Sequence, residues 1–277
     1  MIRYIYSYFN QPIPVGLEGV FYNLFTVLAA VVFALLIFIQ FKRSGLSLKD
    51  NLITIGILTV TNIVLADLGQ RVAGIFYKEP AFMKPIFILI TFITKPTKTY
   101  HGAIVLIIIW SIIYCKLMFK NKWKTPFDIL ALYLPLAHAI GRFSCFFAGC
   151  CWGHELGVCV PGTSVHFHNP IPLYESAFNI LIFLTLLFIF KKIHPNPDKG
   201  ITMEEQEKKL SPKQKVFSGV ILPVYMVMYG IWRFFIENIR SNPKILCGLT
   251  QAQIVMSVFI ITGLTIILIK LSKSQRT

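Results

Sequence analysis

Long apolar stretches broken by short polar ones dominate the chain. Seven windows are long enough to predict membrane-spanning helices, which need about 20 mainly apolar residues each. They run roughly 21–41, 51–77, 101–119, 127–148, 173–191, 216–237 and 251–270. The apolar stretch 85–94 is too short to span and predicts an interfacial or re-entrant piece. The segment 191–218, with Pro195, Pro197, Pro212 and mixed charges, predicts a solvated cytoplasmic loop. Pro12 and Pro14 interrupt the first twenty residues, and no cleavable leader is expected there.

Composition agrees with this pattern. Of the 277 residues, 55% are hydrophobic and only 14% charged, against about a quarter charged in a soluble domain. The expected fold is all-α: a single polytopic integral membrane domain over 1–277 with about seven transmembrane helices. The net charge of +15 could suggest nucleic acid, but the lysines lie between apolar windows rather than along one face, so no nucleic-acid partner is expected. Lys and Arg in the connections set orientation. With the N-terminus outside and the C-terminus inside, the inner loops hold 17 of the 27 basic residues and the outer segments 7.

The other three basic residues are Arg71, Arg142 and Arg233, each within or beside an apolar window. A guanidinium at membrane depth is costly unless it is paired or faces water. An anion site is therefore expected, and a phospholipid head group is the abundant anion there. Arg142 and Arg233 head the densest clusters, at 141–153 and 229–240. A guanidinium stays charged and can grip phosphate oxygens through two parallel hydrogen bonds. The competing reading is a buried ion pair with Glu237 or Glu175. Arg71 has Asp67 one turn earlier, a neutralising partner or, alternatively, a relay carboxylate. Arg233, Glu237 and Arg240 fall on one helical face, so Glu237 can bridge the two guanidiniums and orient Arg233. Tyr174 and Glu175 are candidates for a similar brace. His138 lies one turn before Arg142 and is either an orienting group or a satisfied interior histidine.

Cys145, Cys150, Cys151 and Cys159 gather near His154, His166 and His168. Disulfides, close small-residue packing, a metal site and a catalytic thiol all remain open; the spacing fits no standard pair of Cys-x-x-Cys arms, and no metal or cofactor is assigned. Cys115 and Cys247 have no evident partner.

At 141–153 the chain resembles the prolipoprotein diacylglyceryl transferase family, whose signature reads Gly-Arg-x-Gly-Asn-Phe-x-Asn-Gly-Glu-x-x-Gly. Gly141, Arg142, Phe146, Gly149 and Gly153 match it; Ser144, Cys145, Ala148 and Cys150 depart from its Gly, Asn, Asn and Glu. The family's His-Gly is matched by His101-Gly102. Pro170 with Leu173-Tyr174-Glu175 is similar to another of its motifs. So are Tyr229-Gly230 with Arg233-Phe234, Glu237 and Arg240, and Gly248-Leu249-Thr250 with Gln253. Gly69 and Arg71 match more weakly. The chain is thus similar to a diverged, cysteine-containing branch.

The resemblance implies diacylglyceryl transfer from phosphatidylglycerol to the lipobox cysteine thiol of prolipoproteins, forming a thioether and releasing glycerol phosphate. It implies His101 as the base, with Arg142 and Arg233 as the other catalytic groups. Arg142, Arg233, Arg71, Glu237, Arg240 and Tyr229 would bind substrate. Cys145, Cys150 and Glu175 are candidates for a special role. The implied partners are phosphatidylglycerol, lipobox preproteins and membrane lipids. The implied site is a lipid-accessible central cavity near the outer leaflet of the bacterial cell membrane. The alternatives are a relative that serves another acceptor and a phosphate-binding transporter.

Overall fold

The computed structural model describes residues 16–78, 100–163, 165–194, 205, 208–240, 242, 244–246 and 248–276. The chain divides into two compact units. One comprises Met1–Ile39, Asp128–Asn196 and Leu210–Thr277; the other comprises Gln40–Phe127 and Pro197–Lys209.

The protein is a predominantly helical membrane protein, and each of the seven apolar windows contains a helix. In chain order these are α1 (Leu17–Arg43), α2 (Leu48–Lys78), α3 (Tyr100–Phe119), α4 (Lys124–Phe147), α5 (Ile171–Ile193), the short α6 (Pro212–Phe217), α7 (Ile221–Ile236) and α8 (Gln251–Gln275). Among the described residues, four are long and apolar enough to cross a membrane: α1, α4, α5 and α8. Helix ends are placed by local chemistry. Glu18 opens α1 and Lys42 and Arg43 close it, each sign complementing the helix dipole. Thr250 and Gln253 form a reciprocal capping box at the start of α8. Val27, Val31 and Leu35 of α1 and Val258 and Ile261 of α8 stay exposed, as expected of helices whose solvent is lipid.

The window at 216–237 is not one continuous helix. Gly219 takes a φ of 82° between α6 and α7, a conformation that only glycine adopts without cost. The buried Asp128 of α4 then accepts the backbone N–H groups of Gly219 (2.6 Å) and Ile221 (3.2 Å). Part of the expected loop 191–218 is also ordered. Ser211 and Gln214 cap α6, and Gln214 Nε2 donates to the Lys192 carbonyl at 3.2 Å. The stretch 85–94 lies outside the described residues.

In the first unit, α7 and α8 pack most closely. A Cβ added at Gly263 would stand 2.7 Å from the Pro223 carbonyl, and one at Gly230 would stand 2.8 Å from Ile260 Cγ1. Small residues let the two backbones meet. Phe178 of α5 stacks on Trp232 of α7 at 4.3 Å. Ser176 Oγ of α5 donates to the Ala139 carbonyl of α4. Phe25 of α1 stacks on Phe147 of α4 at 4.9 Å.

Two small antiparallel ribbons join these helices, a feature not expected from the hydropathy pattern. β1 (Glu155–Cys159) pairs with β2 (His166–His168), and β3 (Lys244–Leu246) pairs with β4 (Leu249–Thr250). The first is anchored where the His154 N–H donates to the Ile239 carbonyl at 2.9 Å. In the second unit α2 and α3 pack together, and Trp110 Nε1 donates to Thr61 Oγ1 at 2.8 Å.

Candidate functional site

Four helices of the first unit send charged and polar groups to one place. Helix α4 delivers His138 and Arg142 one turn apart. Helix α5 delivers Glu175 from its first turns. Helix α7 and the following 3-10 turn deliver Tyr225, Tyr229, Arg233 and Glu237 at four-residue steps, the spacing that stacks side chains on one face. Arg240 follows, and Thr250 and Gln253 arrive from the start of α8.

Carboxylates link the guanidiniums in series. Arg142 Nε lies 2.5 Å from Glu175 Oε2, and Arg233 Nε lies 3.3 Å from Glu175 Oε1. Arg233 Nη1 also pairs with Glu237 Oε2. Arg240 Nε approaches that same oxygen at 3.9 Å. Glu175, Glu237 and Arg233 are 0%, 2% and 3% exposed. At that burial an unpaired charge costs about 3–5 kcal/mol, so pairing is required. The pairing is nonetheless uneven, since three guanidiniums share two carboxylates.

Glu237 is held by more than its arginines. Asn242 Nδ2 donates to Glu237 Oε1 at 2.6 Å, and Thr250 Oγ1 donates to the same oxygen at 3.0 Å. Thr250 is the N-cap of α8, so one hydroxyl both ends a helix and fixes a carboxylate. Gln253 Nε2 ties α8 back to the Phe234 carbonyl (3.3 Å) and Asn238 Oδ1 (3.2 Å). Buried Tyr229 hydrogen-bonds Arg142, and its ring meets His138 edge-on at 5.0 Å. Tyr225 stacks on Tyr229 at 5.5 Å, and its hydroxyl lies 3.4 Å from His138 Nδ1.

The Cys145, Cys150 and Cys151 sulfurs all lie within 4.8 Å of one another. The five described cysteines are free thiols. Cys151 sits in the loop after α4, where hydrogen bonds from the Cys145 and Cys150 thiols pull its pKa down; the nearby Arg142 and Arg240 charges add to the effect. Cys159 is elsewhere, exposed on β1 with Sγ 3.5 Å from His166 Nδ1.

Of the residues expected to form the site, Arg142, Arg233, Glu237, Arg240, Tyr229 and Glu175 are brought together. Cys145 and Cys150 meet each other and Cys151. Tyr174 is exposed at the start of α5, whereas its neighbour Glu175 is buried. Arg71 and His101 belong to α2 and α3, and Asp67 to α2, but their side chains lie outside the described residues, as does Cys247. Sequence reasoning passed over Tyr225 and Asn242 and gave Thr250 no site role. Tyr225 was within reach, because it stands four residues before Tyr229 on the same face. Asn242 comes from irregular backbone, where spacing carries no such signal.

Comparison with known proteins shows the family. The family model for prolipoprotein diacylglyceryl transferase matches residues 13–269. The phosphatidylglycerol–prolipoprotein diacylglyceryl transferase 2 of Clostridium perfringens is 31% identical over 154 residues, 52% of each chain. The Finegoldia magna phosphatidylglycerol–prolipoprotein diacylglyceryl transferase is 28% identical over 211 residues, 74% of each chain. The protein of that name from Clostridioides difficile is 26% identical over 254 residues, 90% of each chain. The alignment thus spans about half of the first of these relatives and nine tenths of the third. With the family pattern running through nearly the whole chain, this protein belongs to the prolipoprotein diacylglyceryl transferase family of membrane transferases.

Proposed function

We propose that this protein transfers the diacylglyceryl group of phosphatidylglycerol to the lipobox cysteine of prolipoproteins at the bacterial cell membrane. The cysteine sulfur attacks the glycerol carbon that bears the phosphodiester. A carbon–sulfur bond forms, the carbon–oxygen bond to phosphate breaks, and glycerol phosphate leaves with the bonding electron pair. The thiol proton passes to a base.

The observation that carries this reading is the charge count. The array of Arg142, Glu175, Arg233, Glu237 and Arg240 contains one more guanidinium than carboxylate. A lipid phosphate supplies the missing negative charge, and the leaving group gains more as the bond breaks. Donors already fixed in a buried site stabilise that developing charge without reorganising. Glu175 and Glu237 hold the guanidiniums in position. Tyr229 and His138 flank Arg142, and Arg71 is a further contact for the lipid. His101 serves as the base, since an imidazole titrates near neutrality and can accept a thiol proton.

The chain acts as one polytopic domain with seven spanning helices, N-terminus outside and C-terminus inside. Its lipid-accessible cavity opens near the outer leaflet. Loss of the family's Asn and Glu side chains at 145, 148 and 150 favours a second reading, in which the same chemistry serves a different acceptor.

Labelled phosphatidylglycerol and a lipobox peptide, incubated with the protein in detergent, test the proposal. Thioether-linked product is expected. Arg142→Lys keeps the charge but loses the two-pronged grip, and is expected to lower the rate roughly 100- to 1000-fold. His101→Ala is expected to abolish product. Wild-type rates in both variants would remove both residues from the mechanism. Lipid movement across vesicles without thioether product would point to transport instead.

A further inference from the structure

The three clustered thiols after α4 are brought together by the backbone. Helix α4 ends in a Schellman turn: the Cys150 N–H donates to the Cys145 carbonyl at 3.0 Å, and the Gly149 N–H to the Phe146 carbonyl at 3.4 Å. The first of these bonds folds Cys150 back beside the turn that carries Cys145. Gly149, at φ 71°, makes that reversal without strain. Cys151 then adopts a φ of 61°, a left-handed conformation that is strained for an L-residue. Strain of this kind persists where the surroundings enforce it and clusters at functional positions. The result is three sulfurs within 4.8 Å of one another, with Cys145 buried and Cys150 and Cys151 half-buried.

That geometry suits a metal ion better than it suits a pair of thiols. Zinc–sulfur bonds of about 2.3 Å place tetrahedral sulfur ligands roughly 3.8 Å apart. Closing onto an ion therefore asks each sulfur pair for about 1 Å of movement at most, within reach of side-chain rotation in a short loop. A disulfide, with sulfurs about 2.05 Å apart, would use two thiols and leave the third without a role. The guanidinium–carboxylate array adjoins this sulfur cluster. Arg142 joins the two groups in space, being paired with Glu175 and sitting within electrostatic range of Cys151. Cys159 and His166, by contrast, offer only two ligands on an exposed ribbon.

We propose that Cys145, Cys150 and Cys151 form a three-thiolate site for a zinc ion, with the fourth coordination position left to an external ligand. Binding takes all three sulfurs as thiolates, so metal uptake releases to solvent the protons that the free cluster still holds. The site stands whether or not the transferase reading holds, because it rests on the sulfur geometry alone.

Cobalt titration of the full chain, purified in detergent under reducing and then anaerobic conditions, tests this. One equivalent of Co2+ is expected to produce the thiolate-to-metal charge-transfer bands and ligand-field bands of a tetrahedral site. One equivalent of Zn2+ should bleach them. Cys145→Ser and Cys151→Ser should each weaken the metal affinity about 10-fold or more, while Cys159→Ser should leave the titration unchanged. The wild-type titration does not depend on the folding of any variant. Three findings would each overturn the proposal: no cobalt spectrum while all three thiols remain open to alkylation, a spectrum that survives both triad substitutions, or a disulfide within the triad in protein alkylated at lysis.

Discussion

Asp128 and Arg142 lie near opposite ends of α4, about 21 Å apart along the helix, and their surroundings are built on different terms. Asp128 has no exposed surface. Its two oxygens accept from the Gly219 and Ile221 backbones, and His194 Nε2 lies 2.9 Å from Oδ2. One carboxylate there ties the start of α4 to the start of α7 and the end of α5. At the other end the same three helices meet again, through Arg142, Arg233 and Glu175. There, among the described residues of the array, three guanidiniums face two carboxylates. A buried charge alone therefore does not mark a site. Closed local pairing reads as architecture, and the leftover charge is what the proposed lipid phosphate would meet.

Substitutions can break or sharpen that contrast. The largest effect is expected from Arg233→Ala. Product formation should fall roughly 100- to 1000-fold, beyond what any loss of folded protein explains. Rates that track the folded fraction alone would make the array structural, like the Asp128 centre. Asp128→Asn should act the other way round. It weakens hydrogen bonds made to a charged acceptor, each contributing about 1.5–3 kcal/mol. Thermal unfolding in detergent should move down while turnover per folded molecule stays the same. Gly263→Ala comes next, since overpacking costs about 1–3 kcal/mol. It forces a methyl group to within 2.8 Å of Val227 Cγ2 and shifts α7, so turnover should fall with the melting temperature. Thr250→Val is the mildest. Loss of the cap costs about 1 kcal/mol, and loss of the Glu237 contact should lower turnover only modestly.

Hydropathy made the helices legible because lipid exposure demands long apolar runs, and each of the seven windows contains one. The break at Gly219 was not legible. It depends on a carboxylate that lies far away in sequence, and a glycine inside an apolar run does not announce a turn. The relation of Arg233, Glu237 and Arg240 follows from helical spacing and was readable in advance. The pairing of the arginines with Glu175 and Glu237 was read as the competing possibility, and both pairs are present; that Glu175 takes Arg142 and Arg233 at once joins separate helices, and spacing within one helix says nothing about it. Asp128 could have been singled out as a lone carboxylate inside an apolar window. The cysteines were grouped too broadly. The end of α4 draws in Cys145, Cys150 and Cys151, whereas the β1–β2 ribbon carries Cys159 away. The ribbons themselves lack a run of alternating polarity long enough to signal a strand.

Helix α7 has 16 residues, about 24 Å, and the 3-10 turn Glu237–Ile239 continues it without a break, adding about 6 Å. The change of winding falls between Arg233 and Glu237, the two residues whose side chains pair across it. Inserting one residue at that seam would turn Glu237 by about 100° and separate the carboxylate from its guanidinium.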